Sequence, residues 1–350
     1  MTEGSKRSMA IAGCGAIARE HLKALRSIDT LTVVALCDVD QGTVSRTSRE
    51  WNIGRSYTSY SEMLEKEDLS IVSILTPPQT HASMAIEAIR RGVNVLLEKP
   101  LTMTTDEARS ILEALKGSHV KLTLNYNALL NKRMIKALAL IEESAIGQVL
   151  GMEVTMLQPK DDPMTSNAKH WCHRLPGGRF GEMLAHPIYL LQSVLGNSMD
   201  LVRVLAEKRG GFDWMPYDEL HVLLRADKGI GRIYASFNAP RPAYLINIYG
   251  TERILNIDLL NGTLMMLGHR TESKADSAMD SLGISCELLF QTIRNTLVYL
   301  RRGRGQEPLQ RAYTSLVDSI EGKGELIVNA DMAYNTVKIA EEICKATIGV

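Results

Sequence analysis

The sequence predicts an α/β protein: a doubly wound parallel sheet in its first part, then an α+β domain with an open, mostly antiparallel sheet. Three observations predict it. A glycine-rich turn, Ile11-Ala12-Gly13-Cys14-Gly15-Ala16-Ile17-Ala18, lies between a short apolar run and a helical pattern. Strand-like and helical patterns then alternate as far as Asn125, as a parallel sheet with crossover helices requires. Beyond Asn125 several strand-like runs follow one another without intervening helices, which points to antiparallel pairing.

The first elements frame the glycine turn. Ser8 to Ala12 reads as a buried strand, Ala16 to Ser27 as a helix, and Leu31 to Cys37 as a second apolar, β-branched strand ending at Asp38. This is the setting of a dinucleotide-binding turn: Gly13 lets the chain reverse sharply, and Gly15 keeps side chains away from a pyrophosphate on the helix N-terminus, which Ala16 and Ile17 open. Ala18 takes the place of a third glycine and still allows close helix-strand packing. An acidic residue at the end of the second strand, roughly twenty positions after the glycines, bonds ribose hydroxyls and repels a 2′-phosphate. Asp38 therefore favours NAD over NADP, although Asp38-Val39-Asp40 also suits a helix start.

Further strands are expected at Ser70 to Leu75, Val93 to Leu97 and Val120 to Leu124, and helices at His81 to Arg91 and Asp106 to Lys116. Thr104 and Glu107 have the spacing of a capping box. Ligands of such sheets gather at the carboxyl ends of the strands. There the chain carries Thr76-Pro77-Pro78-Gln79-Thr80-His81 and Glu98-Lys99-Pro100, and Pro100 pushes Lys99 out of the α region.

Composition narrows the class. The 350 residues suffice for two domains, and 40 basic and 40 acidic residues cancel, so no global field draws the chain to nucleic acid or anionic membrane. A small-molecule substrate is the expected partner. The cysteines Cys14, Cys37, Cys172, Cys286 and Cys344 form no CxxC or disulfide-like framework, which suits reduced thiols in the cytoplasm. Residues 1–7 are polar and lack the apolar core of a signal peptide. No run approaches the roughly eighteen apolar residues of a membrane span.

With its GxGxxA turn, its Thr-Pro-Pro-x-x-His stretch and its Glu-Lys-Pro motif in this order, the chain resembles the Gfo/Idh/MocA oxidoreductases over nearly its whole length. The resemblance implies a Rossmann domain at 1–125 and a substrate and oligomerisation domain at 126–350. It implies that Thr76, Pro77, His81 and Pro100 line the cofactor, that Glu98 orients Lys99 or contacts the nicotinamide ribose, and that the Lys99-Pro100 bond is cis. It also implies that Lys99 reaches the reacting hydroxyl or carbonyl beside the nicotinamide. A lysine near the positive ring of NAD+ has its ammonium form disfavoured, which makes it a better acid-base partner.

In the second part, Asn131 to Glu143 reads as a helix, and Val149 to Leu157, His221 to Arg225, Gly231 to Phe237 and Leu245 to Tyr249 read as strands. Ile248-Tyr249-Gly250-Thr251 resembles the family's hairpin turn. Gly177 to His186 lies where the family has a segment with a catalytic Asp and His, so the match implies Glu182 and His186 for those roles. A helix through this stretch puts the two on one face, with Tyr189 continuing the polar stripe, but Pro187 either kinks it or begins a fresh helix. Glu182 then orients His186 or binds substrate. Tyr126, Trp171, His173, Arg174 and Tyr189 are the expected substrate contacts, and the His170 to His173 cluster fits no familiar metal-ligand spacing. Tyr126-Asn127 is followed by Ala128 where the family has an arginine.

From Gly268 to Gly305 the resemblance is weakest. Leu282 to Leu300 is apolar on at least one face and ends in Arg301-Arg302-Gly303-Arg304. A packed helix with a solvated basic end is the expectation, with a membrane-surface helix, a lid or a subunit contact as alternatives. A last amphipathic helix from Met332 to Ala346 closes the second domain or returns to the first. The function expected is an NAD-dependent dehydrogenase or reductase of a sugar, cyclic polyol or sugar derivative, assembled as a homodimer or homotetramer through its second sheet. A reductase of a non-sugar carbonyl, imine or conjugated ring, and a non-catalytic nucleotide sensor, are the rival expectations.

Overall fold

The computed structural model describes residues 6–268, 273–302 and 305–348. Six parallel strands make the first sheet: β1 (Arg7–Ala12), β2 (Leu31–Cys37), β3 (Arg55–Tyr57), β4 (Ile71–Ile74), β5 (Asn94–Leu97) and β6 (Leu122–Leu124). Their order is β3-β2-β1-β4-β5-β6. It reverses direction between β1 and β4, and the crevice at such a switch point is where doubly wound sheets bind nucleotides. Every residue of β4 is buried, because helices cover both faces of a parallel sheet. The capping box at Thr104 and Glu107 is present and starts the helix Thr105–Leu115.

Seven strands make the second sheet: β7 (Val149–Pro159), β8 (Met199–Glu207), β9 (Glu219–Ala226), β10 (Gly229–Ala239), β11 (Ala243–Gly250), β12 (Ile254–Asp258) and β13 (Thr263–Leu267). They run in the order β13-β12-β11-β7-β10-β9-β8. Only β7 and β10 pair in parallel, so the sheet is mixed and mostly antiparallel. The helix Ala185–Leu195 packs on β7 and β10. Gly231 permits the approach, since a Cβ there would stand 3.1 Å from Leu191.

The chain divides into two compact units: up to Leu130 with Gln306–Lys338, and Asn131–Gly305 with Ile339 onward. This differs from a single cut at 125/126. The cause is the helix Glu307–Ile320, whose Leu309, Ala312, Tyr313 and Leu316 are buried in the core of the first unit with Leu22 and Leu25. The last helix, Ala330–Ala346, carries the division within it.

The helix Lys274–Arg302 corrects the expectation of an inward apolar face. Gln291 is buried, donating to the carbonyl of Leu264 at 2.8 Å and accepting from its N–H at 3.0 Å. Asn295 donates to the carbonyl of Gly262 at 2.7 Å. The polar side is therefore the docked side, and ten large apolar residues from Met279 to Leu300 are exposed. Gly303 and Arg304, at the basic end, lie outside the described residues. No helix among the described residues is long and apolar enough to cross a membrane.

Candidate functional site

In the first unit the glycine turn has the geometry of an anion cradle. Gly13 has φ of 95°, and a Cβ on it would lie 2.8 Å from the backbone of Leu75, so neither the conformation nor the space admits a side chain. Above Gly15 a Cβ would meet nothing within 4 Å. The helix Ala16–Leu25 begins there without a side-chain cap, which leaves the N–H groups of its first turn, including Ala16 and Ile17, for a ligand anion. These features fit a pyrophosphate.

Asp38 and Asp40 divide the two duties that the sequence left open. Asp40 caps the helix Gln41–Trp51, accepting from the N–H of Thr43 at 2.6 Å. Asp38 instead reaches back to the glycine turn, accepting from the N–H of Cys14 at 2.8 Å, and also from that of Asp40 at 2.9 Å. Its carboxylate is thus fixed at the tip of β2, where ribose hydroxyls are read in sheets of this order. Burial, with the charge of Asp38, pushes the Cys14 thiol up to about 12 and that of Cys37 up to about 11; both stay neutral.

At the ends of β4 and β5 the two proline motifs are joined by a buried histidine. His81 is fully buried, with Nδ1 at 2.8 Å from the carbonyl of Pro100 and Nε2 at 2.9 Å from that of Thr76. Burial lowers its pKa. A neutral ring donates to only one of these carbonyls. His81 therefore clamps one motif to the other; it lines no surface, which corrects its expected place among the direct cofactor contacts. Thr76 bonds Thr80 through their hydroxyls at 2.7 Å, Pro77 is exposed and Lys99 half-buried. The Lys99-Pro100 bond is cis.

Next to Lys99 lies a chain of polar groups that the sequence reading missed. His21 Nε2 is 3.0 Å from Glu98 Oε1, its Nδ1 is 2.7 Å from the hydroxyl of Tyr313, and that hydroxyl is 2.9 Å from Ser73 Oγ. One consistent set of donors runs Ser73 to Tyr313 to His21 to Glu98. Asn125 Nδ2 also donates to Glu98 Oε1 at 2.7 Å, and the N–H of Lys99 to Oε2 at 3.2 Å. Burial alone would raise the Glu98 carboxyl, but the bonds from His21 and Asn125 outweigh it and hold the group below its ordinary value. His21 and Tyr313 each sit on the apolar stripe of their helix, beside Ala18 and Leu22 and beside Leu309 and Leu316. A polar residue on a buried stripe was the available signal.

Tyr126 is fully buried, which corrects its expected place among the substrate contacts. A phenol with no accessible surface cannot meet a ligand.

In the second unit the stretch around His186 is two helices, Gly178–Met183 and Ala185–Leu195. Pro187 has no N–H for the carbonyl of Met183, which interrupts the bonding at Leu184, while the backbone there stays right-handed helical. Glu182 and His186 nevertheless take different partners. Glu182 takes the guanidinium of Arg179, which is buried and lies 3.5 Å from Asp162 as well. His186 Nδ1 is 2.8 Å from the hydroxyl of Tyr189. Tyr189 is fully buried, so it holds His186 rather than meeting substrate, a second correction. His173 Nε2 is 3.0 Å from the carbonyl of Met164, and burial lowers its pKa. His173 and Arg179 line a cavity of about 280 Å³ with Trp214 and Tyr217. Trp171 and Arg174 are exposed beside it in sequence.

Residues 7–126 match the model of an oxidoreductase family with an NAD-binding Rossmann fold, and residues 134–256 match the GFO/IDH/MocA C-terminal domain. Levoglucosan dehydrogenase of Pseudarthrobacter phenanthrenivorans is 26% identical over 231 residues, and myo-inositol 2-dehydrogenase of Thermotoga maritima 22% identical over 192. These stretches cover 59% and 55% of this chain and 59% and 56% of those proteins. The chain thus spans little more than half the length of these curated relatives. The WlbA dehydrogenase of Bordetella pertussis, solved with NADH and UDP-GlcNAcA, is 18% identical, with a TM-score of 0.80 over 99% of this chain and 96% of that one. At that identity the likeness is one of fold.

Proposed function

Because the chain belongs to the Gfo/Idh/MocA family of oxidoreductases, we propose that it is an NAD-dependent dehydrogenase or reductase of a sugar, cyclic polyol or sugar derivative. The observation that carries this is the ionised Glu98, held by His21 and Asn125 immediately before Lys99. Bound NAD supplies a hydride acceptor at nicotinamide C4. The turn at Gly13 and Gly15 takes the pyrophosphate, and Asp38 takes the adenosine ribose and disfavours NADP. Glu98 sets the path of the chain into Lys99 through its bond to the Lys99 N–H. Lys99 accepts the proton of the substrate hydroxyl on oxidation and returns it to the carbonyl oxygen on reduction. His186, fixed by Tyr189, is the second group able to hold a proton, and Trp171 offers an apolar face for a sugar ring.

One observation favours a non-sugar carbonyl, imine or conjugated ring. Two phenols counted toward a polar pocket, Tyr126 and Tyr189, are fully buried, the second against His186. A panel of polyols, free and nucleotide-linked sugars, cyclic imines and unsaturated rings, followed by nicotinamide absorbance in both directions, separates the readings. Turnover confined to the last two classes would overturn the sugar assignment, and binding of NADH without turnover of any would favour a sensor.

The unpaired thiols suit a cytoplasmic setting. The outward side of the second sheet, with Leu205 and Ile230 half-exposed, suits assembly into a homodimer or homotetramer.

A further inference from the structure

The order of the first sheet assigns the two ends of a dinucleotide to its two halves. Asp38, at the tip of β2, belongs to the half made by β1, β2 and β3, where the adenosine ribose is read, so the nicotinamide falls to the half made by β4, β5 and β6. Glu98 is the first residue after β5 and Asn125 the first after β6. The Glu98 side chain keeps 13% of its surface exposed, whereas that of His21, which bonds it, keeps none. A carboxylate thus stands at the strand tips of the nicotinamide half, braced by a ring that no ligand can reach.

The donors that hold this carboxylate leave its charge in place. With the Tyr313 hydroxyl donating to His21 Nδ1, all three are neutral: a ring N–H, a side-chain amide and a backbone N–H. Neutral donors stabilise an anion without cancelling it, and Glu98 is accordingly held ionised. Of the two forms of the cofactor only the oxidised one carries a positive charge on the nicotinamide ring. A fixed anion in this half of the crevice therefore attracts one form and is indifferent to the other, and it does so more strongly in a partly buried cleft than in water. Lys99, the next residue, acts in the opposite sense when protonated, so the effect of Glu98 is the difference between wild type and variant at one pH. A carboxylate that merely fixed the backbone of Lys99 would serve both forms alike.

We propose that Glu98 is the counter-ion of the oxidised nicotinamide ring and His21 the positioning residue that fixes it there, so that the site tells NAD+ from NADH by charge. This rests on the reading of the chain as an NAD-dependent enzyme. The test is calorimetry of NAD+ and of NADH binding to the full chain at neutral pH, read as the ratio of the two dissociation constants. Glu98→Gln, which keeps the size and removes the charge, is expected to weaken NAD+ about tenfold and NADH by less than about twofold. His21→Leu takes a ring N–H from a buried carboxylate, which then takes up a proton more readily. It is expected to move the ratio the same way by about threefold, and to add nothing in the Glu98→Gln background. Glu98→Asp keeps the charge and is expected to leave the ratio within about twofold even where both forms bind more weakly. Should Glu98→Gln fail to fold, Asn125→Leu removes the amide donor instead, with about threefold expected in the same sense. Equal weakening of the two forms in every folded variant, or a larger effect on NADH, overturns the proposal while the NAD-dependent reading stands. A wild type that binds neither form overturns both.

Discussion

Glu98 accepts from three directions, and each donor restrains something different. His21 fixes it from the helix that follows the glycine turn, Asn125 from the end of β6, and the Lys99 N–H from the chain itself. Its carboxyl titrates below the 4.5 of an ordinary glutamate. A lowered folded value means that its stabilising contribution is complete above the ordinary value and is lost as pH falls through the lowered one. Glu98→Gln is therefore expected to lower the urea midpoint at neutral pH, with the gap to wild type closing below about pH 4. A gap that stays constant would show that the charge plays no part. Lys99→Ala is expected to leave NADH affinity nearly unchanged in a fluorescence titration while reducing turnover about a hundredfold. For Asp38, NAD should bind at least about tenfold tighter than NADP by calorimetry, a gap of about 1.4 kcal/mol. Asp38→Ser should narrow it.

At the scale of elements, Glu182 and His186, which sequence spacing joins, take different partners, Arg179 and Tyr189. Tyr189→Phe is expected to lower kcat by about tenfold with KM little changed, as befits a positioning group. Glu182→Gln removes one anion from the buried Arg179 and is expected to cost about 1–3 kcal/mol of stability by chemical denaturation, with the pH profile of turnover in place. A shifted acid limb would return Glu182 to His186. Strands with continuous buried runs, such as β4 and the last four residues of β1, were legible because burial on both faces leaves a simple apolar signature. β3, β8, β12 and β13 were not read. β3 is three residues long, and exposed residues interrupt β8. Apolar periodicity identified the faces of Lys274–Arg302 and of the last helix without saying what covers them. Pairing partners were equally hidden: His21 was visible in sequence, but its bond to Tyr313 spans 292 positions.

At the scale of the whole molecule, the first unit is discontinuous in sequence. Leu309, Tyr313 and Leu316 are buried in its core, so a chain ending at Gly305 would expose that apolar surface and leave His21 Nδ1 without the Tyr313 hydroxyl. Such a truncation is expected to lose cooperative unfolding by calorimetry and to lose NADH binding. A truncated chain that retained both would show that the returning helix is dispensable. In the two-unit division a boundary near residue 125 separates the two sheets, while the helix Glu307–Ile320 belongs with the first unit. Nothing in the sequence of a helix records that it returns to an earlier sheet.

That return has a consequence for the protein as it is made. Synthesis is vectorial, and domains generally fold as units while the chain emerges at about 5–20 residues per second. The segment Asn131–Gly305 is wholly synthesised before Tyr313 leaves the ribosome, so most of the second unit can take shape while the nucleotide half still lacks its closing helix. For roughly ten seconds or more after Asn125 has been made, Glu98 and His21 lack Tyr313, and a groove meant for Leu309 and Leu316 is open to chaperones. The last step of biogenesis is then the sealing of the carboxylate beside Lys99, and a stalled or prematurely released chain ends with that carboxylate unsealed.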